Sequence, residues 1–357
     1  MANVLVALSG GVDSAVAAAL LADAGHDVTG VHLKLADVPL AEQVPGQGCC
    51  TLDDAQDARR AAQVLGIDFY VWDMADLFRE EVLEPFVDAY VAGQTPNPCV
   101  TCNEKVKYTA LHERAMALGF DALATGHHAR IGTRDGTTAL LRGRDQAKDQ
   151  SYVLWMATAE QLATTMLPIG EHPKEAVRAL AAARGLRMAA KPDSYDVCFI
   201  PSGDTAGWLR ERVPAAPGPV VDLDGRQVGE HDGVWQFTIG QRRGLGLGSH
   251  ERRFVVDLDA ASATVVVGAR EQLACRWAEL DRPNWISTRP TGDRQLTAQV
   301  RAHGRPVPAR VDGNVVHFDE PVIGVARGQS VVLYDGDVCL GGGRVKSADR
   351  PMLTISA

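Results

Sequence analysis

The sequence predicts an α/β protein in which a doubly wound parallel sheet is followed by a small β-containing middle domain and a C-terminal β-barrel. Strand-like and helix-like runs alternate over residues 1–130, as they do in parallel sheets. After residue 200 the pattern changes to short β-rich runs separated by turn dipeptides, which is typical of antiparallel strands. The length of 357 residues also exceeds that of one ordinary domain.

Short apolar runs at 4–8, 28–35, 69–72 and 122–125 predict the parallel strands. Longer runs between them, at 14–24, 53–65, 76–91 and 104–118, predict helices. Ligands of such sheets bind where the strands end, at their carboxyl edge. The loops that follow the predicted strands are therefore the first place to look for a functional site.

The second half of the chain carries the signals of antiparallel strands. Residues 264–267 and 331–334 read as strands, and residues 214–219 are rich in proline and predict a linker. We expect three domains, at 1–205, 206–280 and 281–357. Four dipeptides predict hairpins: Asp224-Gly225, Asp232-Gly233, Asp312-Gly313 and Asp335-Gly336.

The composition is that of a globular protein, with 46% apolar and 23% charged residues. The chain has no apolar stretch of about 18 residues and no basic leader, so we expect no membrane partner, no signal peptide and a cytoplasmic location. Seven cysteines in a chain of this length do not indicate a disulfide scaffold. Four of them have no suggestive context and are expected to pack: Cys49, Cys50, Cys275 and Cys339.

The net charge of −9 lies entirely in the first part of the chain. Residues 1–200 hold 17 basic and 26 acidic side chains, whereas residues 201–357 hold 19 of each. Charge alone therefore does not predict a nucleic-acid partner, and it argues against a strong RNA-binding module in the second part. No DNA partner is expected.

The six residues Ser9-Gly10-Gly11-Val12-Asp13-Ser14 join the first predicted strand to the first predicted helix. Glycines let the backbone approach an anion, and the N-terminus of a helix offers unpaired N–H groups. Asp13 could hold a Mg²⁺ ion or cap the helix. A tight turn with a serine cap is the alternative, but the full string favours phosphate binding. It is not a Walker A loop, because no Gly-Lys-Ser/Thr follows.

Two cysteine-containing strings lie further along the chain. Cys99 and Cys102 fall in a proline-fixed stretch at 95–103, and Cys102 is predicted at a helix entrance, where the dipole favours a thiolate. A zinc half-site and a redox pair are the alternatives, but no second cysteine pair of similar spacing exists. Cys198 lies within residues 191–201 and alone would read as a buried cysteine.

Together these strings resemble the tRNA-specific 2-thiouridylases, whose ATP loop is that of the ATP-pyrophosphatase superfamily with its adenine-nucleotide α-hydrolase-like sheet. Four more strings agree, in the family's order: 124–128, 148–152, 238–246 and 339–343. The resemblance implies a sulfurtransferase that uses ATP and Mg²⁺ to adenylate the wobble uridine of tRNA and then inserts sulfur. It also implies a sulfur donor as partner, such as a relay protein, a cysteine desulfurase or sulfide.

The resemblance implies roles for individual residues. Cys198 would carry a persulfide and Cys102 would release its sulfur, and the two could form a disulfide during turnover. ATP contacts are implied along the first loop and at two later positions: Ala7, Leu8, Ser9, Gly10, Gly11, Val12, Asp13, Ser14, Leu33 and Gly126. Contacts with tRNA are implied for residues from five places in the chain: Asn97, Pro98, Cys99, His127, Lys148, Asp149, Gln150, Arg301, Ala302 and Gln329.

Four of these expectations leave alternatives open. Many family members have Asp where Cys99 stands, so Cys99, Cys102 and Cys198 could instead hold a 4Fe–4S cluster with one open iron. Ala302 replaces an aromatic residue common in the family, which puts that contact in doubt. Lys148, Asp149 and Gln150 could form only a solvated polar turn, and Leu33 could belong to the core.

Other classes of protein remain as alternatives. An amide-forming adenylating synthetase of the same superfamily would share the loop at Ser9 but would not need Cys102 and Cys198. A redox or iron–sulfur protein without tRNA chemistry would not need the ATP loop. A non-catalytic RNA-binding module is disfavoured by the neutral charge balance of residues 201–357.

Overall fold

The structure is a computed structural model that describes residues 1–35, 52–191, 197–200, 202–247, 252–286, 288–290 and 294–349. Cys49 and Cys50 lie outside these residues. The strands fall into three sheets. In chain order they are β1 (Asn3–Ala7), β2 (Asp27–Lys34), β3 (Asp68–Asp73), β4 (Ala122–Ala124), β5 (Ala129–Arg134), β6 (Thr137–Arg142), β7 (Thr165–Met166), β8 (Gly218–Val221), β9 (Gln227–His231), β10 (Phe254–Asp259), β11 (Thr264–Gly268), β12 (Ala274–Trp285), β13 (Leu296–Gln299), β14 (Val307–Asp312), β15 (Val315–Ile323), β16 (Ser330–Asp335) and β17 (Val338–Ala348).

Most helices lie in the first part of the chain and cover the first sheet. Two π-helical segments, Arg79–Leu83 and Asn103–Leu111, each continue an α-helix without a break. No helix of the described residues is long and apolar enough to cross a membrane. The α-helices are α1 (Val12–Asp23), α2 (Leu52–Leu65), α3 (Ala75–Phe78), α4 (Glu84–Val91), α5 (Pro98–Cys102), α6 (His112–Ala117), α7 (Ala159–Ala163), α8 (Lys174–Ala183) and α9 (Thr205–Arg210).

The first sheet is parallel and has the strand order β3-β2-β1-β4-β7, which confirms the predicted doubly wound class. Alternate residues of β1 face opposite layers of the core. Leu5 packs with the cluster that contains Cys102, whereas Val4 and Val6 pack with the cluster that contains Ala18 of α1. The chain leaves β1 toward β2 on one side and has β4 on the other. This reversal creates the crevice in which ligands of such sheets bind.

The helix predicted at 104–118 begins six residues earlier than expected. It starts at Pro98 because Asn97 caps it: the Asn97 side chain accepts hydrogen bonds from the backbone N–H groups of Cys99 (3.1 Å) and Val100 (3.3 Å). Proline at the first helical position is favourable, since its missing N–H would have no partner there. The prediction that Cys102 lies at the helix entrance was therefore wrong by about one turn. Cys99 occupies the entrance instead.

The middle sheet has the order β10-β11-β8-β9, and its core is rich in valine. Asp224-Gly225 forms the predicted hairpin between β8 and β9. The hairpin predicted at Asp232-Gly233 was wrong, because this pair leads into a 3-10 turn at Val234–Gln236 and the next strand begins only at Phe254. The linker prediction at 214–219 was wrong in its second half, since Pro219 lies inside β8 and is paired with Glu230.

The C-terminal sheet closes into a barrel, as predicted. The strands follow the order β12-β15-β14-β13-β16-β17, and β17 pairs again with β12. The predicted hairpins at Asp312-Gly313 and Asp335-Gly336 join consecutive strands of this barrel. Cys275 (0% exposed) and Cys339 (1% exposed) are buried, as expected for packing residues.

The hairpin of β5 and β6 was not predicted from the sequence; it lies within residues 1–205 but extends the C-terminal sheet and not the parallel one. Leu141 and Leu140 of β6 pair with Val338 and Cys339 of β17. The signal was present: the turn is Asp135-Gly136, and both residues have positive φ (51° and 77°), as a two-residue hairpin turn requires. A buried cluster that includes Tyr152, Trp155 and Tyr334 fills the junction between this hairpin, the neighbouring helices and the barrel.

Candidate active site

The loop after β1 is held closed by its own side chains. The Ser14 hydroxyl accepts a hydrogen bond from the Ser9 backbone N–H (3.1 Å) and donates one to the Gly11 carbonyl (3.1 Å). Gly10 has a φ of +80°, and a Cβ atom there would come within 2.4 Å of the Asp54 carbonyl oxygen. Only glycine fits this position, so the loop can pack tightly against α2.

The amino end of α1 faces the crevice between β1 and β4. Its N-cap, Gly11, has no side chain to occupy the first backbone N–H groups. Gly126, which follows β4, approaches so closely that a Cβ atom would lie 2.5 Å from the Ser14 nitrogen. The two loops therefore meet at the reversal point of the sheet. Backbone N–H groups without a side-chain cap, at the start of a helix, are a ready anion site.

Asp13 lies in the first turn of α1 and is held by two basic groups. Lys174 Nζ lies 2.8 and 2.7 Å from its two carboxylate oxygens, and His128 Nε2 lies 3.2 Å from one of them. Burial acts to raise the pKa of Asp13, but the bonds from His128 and Lys174 outweigh it and lower the pKa. The carboxylate does not cap the helix. Lys174 comes from α8, and no sequence signal pointed to it.

A second ammonium lies on the other side of the loop. Lys191 Nζ contacts Asp54 (2.7 Å) and Asp57 (3.1 Å) of α2 and lies 3.4 Å from the Gly10 carbonyl oxygen. Burial acts to lower the pKa of Lys191, but the two carboxylates raise it overall. Lys191 opens the string that contains Cys198, and its position in that string was the available signal. A lysine ammonium, held in place by carboxylates, therefore lies at each end of the loop.

Leu33 and the cysteines lie on the opposite layer of the sheet from α1. Leu33 is buried (8% exposed) and belongs to the same core cluster as Cys102 (9% exposed). Cys198 is half-buried and packs with Phe199 against this cluster. Cys102 and Cys198, which are distant in sequence, thus border the same core cluster, and Cys99 lies at the exposed helix entrance.

Phe199 fixes the segment that carries Cys198. Its ring makes edge-on or tilted contacts with Phe78 (5.8 Å between centroids), Phe86 (5.2 Å) and Trp208 (5.5 Å). Aromatic contacts of this geometry stabilise by more than their buried area alone. Within the described residues, no group of three or more His, Cys, Asp or Glu side chains is arranged to hold a metal ion. Cys99, Cys102 and Cys198 are therefore not gathered as a ligand set for a cluster.

Three residues that are expected to contact the target nucleobase of tRNA lie at the start of α5. Asn97 is half-buried, Pro98 is buried and Cys99 is exposed. The loop before them contacts the barrel, because the Thr95 backbone N–H donates to the Arg327 carbonyl (2.7 Å). Gln329, also half-buried, lies two residues beyond Arg327. The loop before α5 and this part of the barrel are therefore in direct contact.

His127 and the turn at 148–150 lie on the other side of the crevice. His127 is buried, and its Nδ1 lies 2.7 Å from the Thr125 hydroxyl. Burial lowers its pKa well below the usual value, and the charges of Lys107 and His128 act in the same direction, so the ring is neutral. The alternative of a solvated polar turn was wrong for Asp149, which is buried (6% exposed) and fully bonded inside.

The remaining expected contacts lie on the barrel, in the segment that follows β13. Arg301 is exposed and donates to the Gly324 carbonyl (3.2 Å). Ala302 is half-buried and packs against the cluster that contains Tyr334. The exposed Arg301 guanidinium can meet a phosphate, and Ala302 contributes no ring on which a base could stack.

Three family models match successive parts of the chain. Residues 2–202 match a tRNA methyl transferase HUP domain, residues 206–269 a tRNA methyl transferase PRC-barrel domain, and residues 277–345 an aminomethyltransferase beta-barrel domain. Curated relatives match over nearly the full length. The tRNA-specific 2-thiouridylase MnmA of Frankia casuarinae is 53% identical, covering 97% of this chain and 99% of the relative.

The chain belongs to the tRNA-specific 2-thiouridylase family. Two further members support the assignment. The MnmA of Frankia alni is 55% identical, covering 96% of this chain and 99% of its own, and that of Thermobifida fusca is 51% identical, covering 98% and 96%. For a 2-thiouridylase family member, the loop at Ser9 and the two cysteines Cys102 and Cys198 are the features whose chemistry has to be explained.

Proposed function

We propose that this chain is a tRNA-uridine 2-sulfurtransferase, which replaces the C2 oxygen of the wobble uridine with sulfur in a reaction driven by ATP. One observation supports the chemistry more than any other. An anion-binding loop lies at the carboxyl end of the central strand, and two cysteines border the core cluster on the other layer of the same sheet. One domain therefore carries both a group suited to activate an oxygen and thiols suited to deliver a sulfur.

The first half of the reaction uses the nucleotide loop. The C2 oxygen of uridine attacks the α-phosphorus of ATP, and pyrophosphate leaves. The N–H groups at the start of α1, with the ammonium groups of Lys174 and Lys191, would stabilise the negative charge on the departing pyrophosphate. Asp13 is a carboxylate of the loop that could share a Mg²⁺ ion with the phosphates, and a carboxylate together with substrate phosphates suits Mg²⁺. That ion would supply further charge neutralisation and would compete with Lys174 for Asp13.

The second half uses the cysteines. The terminal sulfur of a persulfide on Cys198 attacks C2 and forms a disulfide link between the enzyme and the base. The Cys102 thiolate then attacks the Cys198 sulfur, so the base keeps one sulfur and a Cys102–Cys198 disulfide forms. Collapse at C2 expels AMP and leaves the thiocarbonyl. A dithiol reductant restores both thiols, and a persulfide donor reloads Cys198.

A cluster-based delivery would need Cys99, Cys102 and Cys198 to converge, and the described side chains do not do so. We therefore derive no step through a cluster. A persulfide donor and a cytoplasmic setting, where ATP and unmodified tRNA occur together, complete the proposal. The methyl transferase wording of the first two family models describes another reaction, which would need neither the ATP loop nor Cys198.

The test is a thiolation assay on protein purified without oxygen, with its iron content recorded. The protein is mixed with unmodified tRNA, Mg-ATP and either a persulfide or sulfide. The tRNA is then digested, and its nucleosides are identified by mass spectrometry. We expect 2-thiouridine that depends on ATP and disappears in Cys198→Ser, while Cys339→Ser, a buried cysteine outside the site, retains activity. Methylated uridine, or product formed equally by Cys198→Ser, would contradict the proposal. Iron-dependent product with sulfide would replace the persulfide step with a cluster.

A further inference from the structure

Arg142, at the end of β6, carries a charge into the junction between the hairpin and the barrel. Only 12% of its side chain is exposed. Its Nη1 donates to Asp149 (2.8 Å) and to the Gln299 side-chain oxygen (2.9 Å), and its guanidinium lies 3.5 Å from the centre of the Tyr334 ring. Burying a charged group is unfavourable unless such partners are in place, so every contact of this group matters.

Through Asp149, Arg142 holds the turn that carries Lys148 and Gln150. Asp149 accepts hydrogen bonds from the backbone N–H groups of Gly143 and Ser151, both at 3.0 Å, and from the Ser151 hydroxyl at 2.9 Å. The carboxylate therefore closes the chain between 143 and 151 into one fixed turn.

The same turn is tied to the loop that follows β4. The Gln150 side-chain oxygen accepts from the His128 backbone N–H (2.9 Å), and the Gln150 backbone N–H donates to the His128 carbonyl (2.8 Å). His128 in turn contacts Asp13 of the nucleotide loop. The turn is thereby fixed to the edge of the sheet where ATP is proposed to react.

Through Gln299, Arg142 also holds a segment of the barrel. The Gln299 amide donates to the carbonyl oxygens of Arg301 (3.0 Å) and Ala302 (2.8 Å). Gln299 is buried (4% exposed), so this bond pattern is shielded from water. One guanidinium thus connects two stretches, separated by about 150 positions, that both carry proposed tRNA contacts.

We infer that Arg142 is a positioning residue for tRNA: it fixes the turn at 148–150 relative to the barrel segment at 299–302, so that both meet one tRNA in a set register. The inference rests on the proposed function. Arg142 itself is half-buried and does not contact the substrate. Its guanidinium is suited to the role because Nη1 bonds both acceptors while the plane of the group lies over the Tyr334 ring, and the shorter, non-planar lysine side chain would not reproduce this arrangement.

The experiment compares tRNA KM, ATP KM and kcat for three folded variants. Arg142→Lys keeps the charge beside Asp149 but loses the planar guanidinium and its reach to Gln299, and Gln299→Leu removes the barrel side and leaves the Arg142–Asp149 pair intact. Arg144→Lys is the matched control, because Arg144 lies two residues away, is exposed and pairs with Glu171. Melting temperature and the double variant Arg142→Lys/Gln299→Leu complete the set.

We expect Arg142→Lys and Gln299→Leu each to raise the tRNA KM about tenfold, an ordinary size for coupling between sites. The ATP KM and the kcat at saturating tRNA should stay within about twofold of the unmodified protein. The tRNA KM of the double variant should be no higher than that of the single variant with the higher tRNA KM. A merely structural role would instead lower kcat, tRNA affinity and melting temperature together.

An unchanged tRNA KM in folded Gln299→Leu, or effects of the two substitutions that multiply, would overturn the inference. Direct tRNA binding, measured by fluorescence anisotropy, separates this failure from a failure of the proposed function. If the unmodified protein binds tRNA but forms no 2-thiouridine, the function is wrong. If it forms product and the variants bind tRNA as tightly as it does, only the positioning role is wrong.

Discussion

The nucleotide loop and the proposed tRNA surface are built in opposite ways. The loop is a single stretch, residues 9–14, shaped by its own hydroxyl groups and by two close glycines. The tRNA surface combines the start of α5, the turn at 148–150 and the barrel segments near 301 and 329. A local stretch carries its geometry in its sequence, whereas a composite surface depends on how distant elements pack. We therefore expect the two regions to fail differently when a single residue is changed.

The largest expected effect comes from Gly126→Ala, because Gly126 follows β4 and packs directly against the loop at residues 9–14. The added Cβ would lie 2.5 Å from the Ser14 nitrogen and 2.6 Å from the Asp13 carbonyl carbon, so the start of α1 has to shift. Overpacking of this kind costs about 1–3 kcal/mol, which corresponds to a rise in the ATP KM of roughly 5- to 150-fold. Pyrophosphate release at varied ATP measures it.

Gly25→Ala is the control for this substitution. Gly25 also has a positive φ (+80°), but a Cβ atom there would meet nothing within 4 Å, and it follows the far end of α1. It should cost about 1 kcal/mol of stability and leave the ATP KM unchanged. An ATP KM in Gly126→Ala equal to that of the control would show that the two loops do not need their close contact.

A smaller effect concerns His127, which lies between the two regions. Its pKa is lowered by burial, so below pH 6.5 the unfolded chain binds a proton that the folded chain does not. The free energy of unfolding should therefore decrease as the pH is lowered below 6.5, by at most about 1.4 kcal/mol per pH unit from this group. His127→Gln should show a shallower decline between pH 6.5 and pH 5 in urea unfolding.

The comparison with His127→Gln is needed because other groups titrate in the same range. Burial also lowers the pKa of His112 and His231, and both contribute to the decline in the unmodified protein. Only the difference between the two proteins isolates His127. Identical pH profiles would mean that His127 is solvated and able to take up a proton in the folded state.

The same contrast explains what could be predicted from the sequence. The central sheet, the barrel and the tight loop at residues 9–14 could be predicted from local patterns, because apolar runs and glycines determine the conformation of the few residues around them. Lys174 and Arg142 were not predicted, since their roles arise from contacts with Asp13 and Gln299, which are about 160 positions away. The sequence misplaces the start of α5, because a proline-rich stretch predicts a loop, whereas Asn97 caps a helix that begins at Pro98.

The measurement that tests the central claim most directly follows the oxygen atom. An anticodon stem-loop RNA is made with ¹⁸O at C2 of the wobble uridine, and the protein is given Mg-ATP and a persulfide donor. Adenylation before thiolation transfers that oxygen to the α-phosphate, so we predict ¹⁸O in AMP and one sulfur in the uridine in equal amounts. Thiolated RNA with unlabelled AMP, or AMP formed while the label stays in the RNA, would contradict the account.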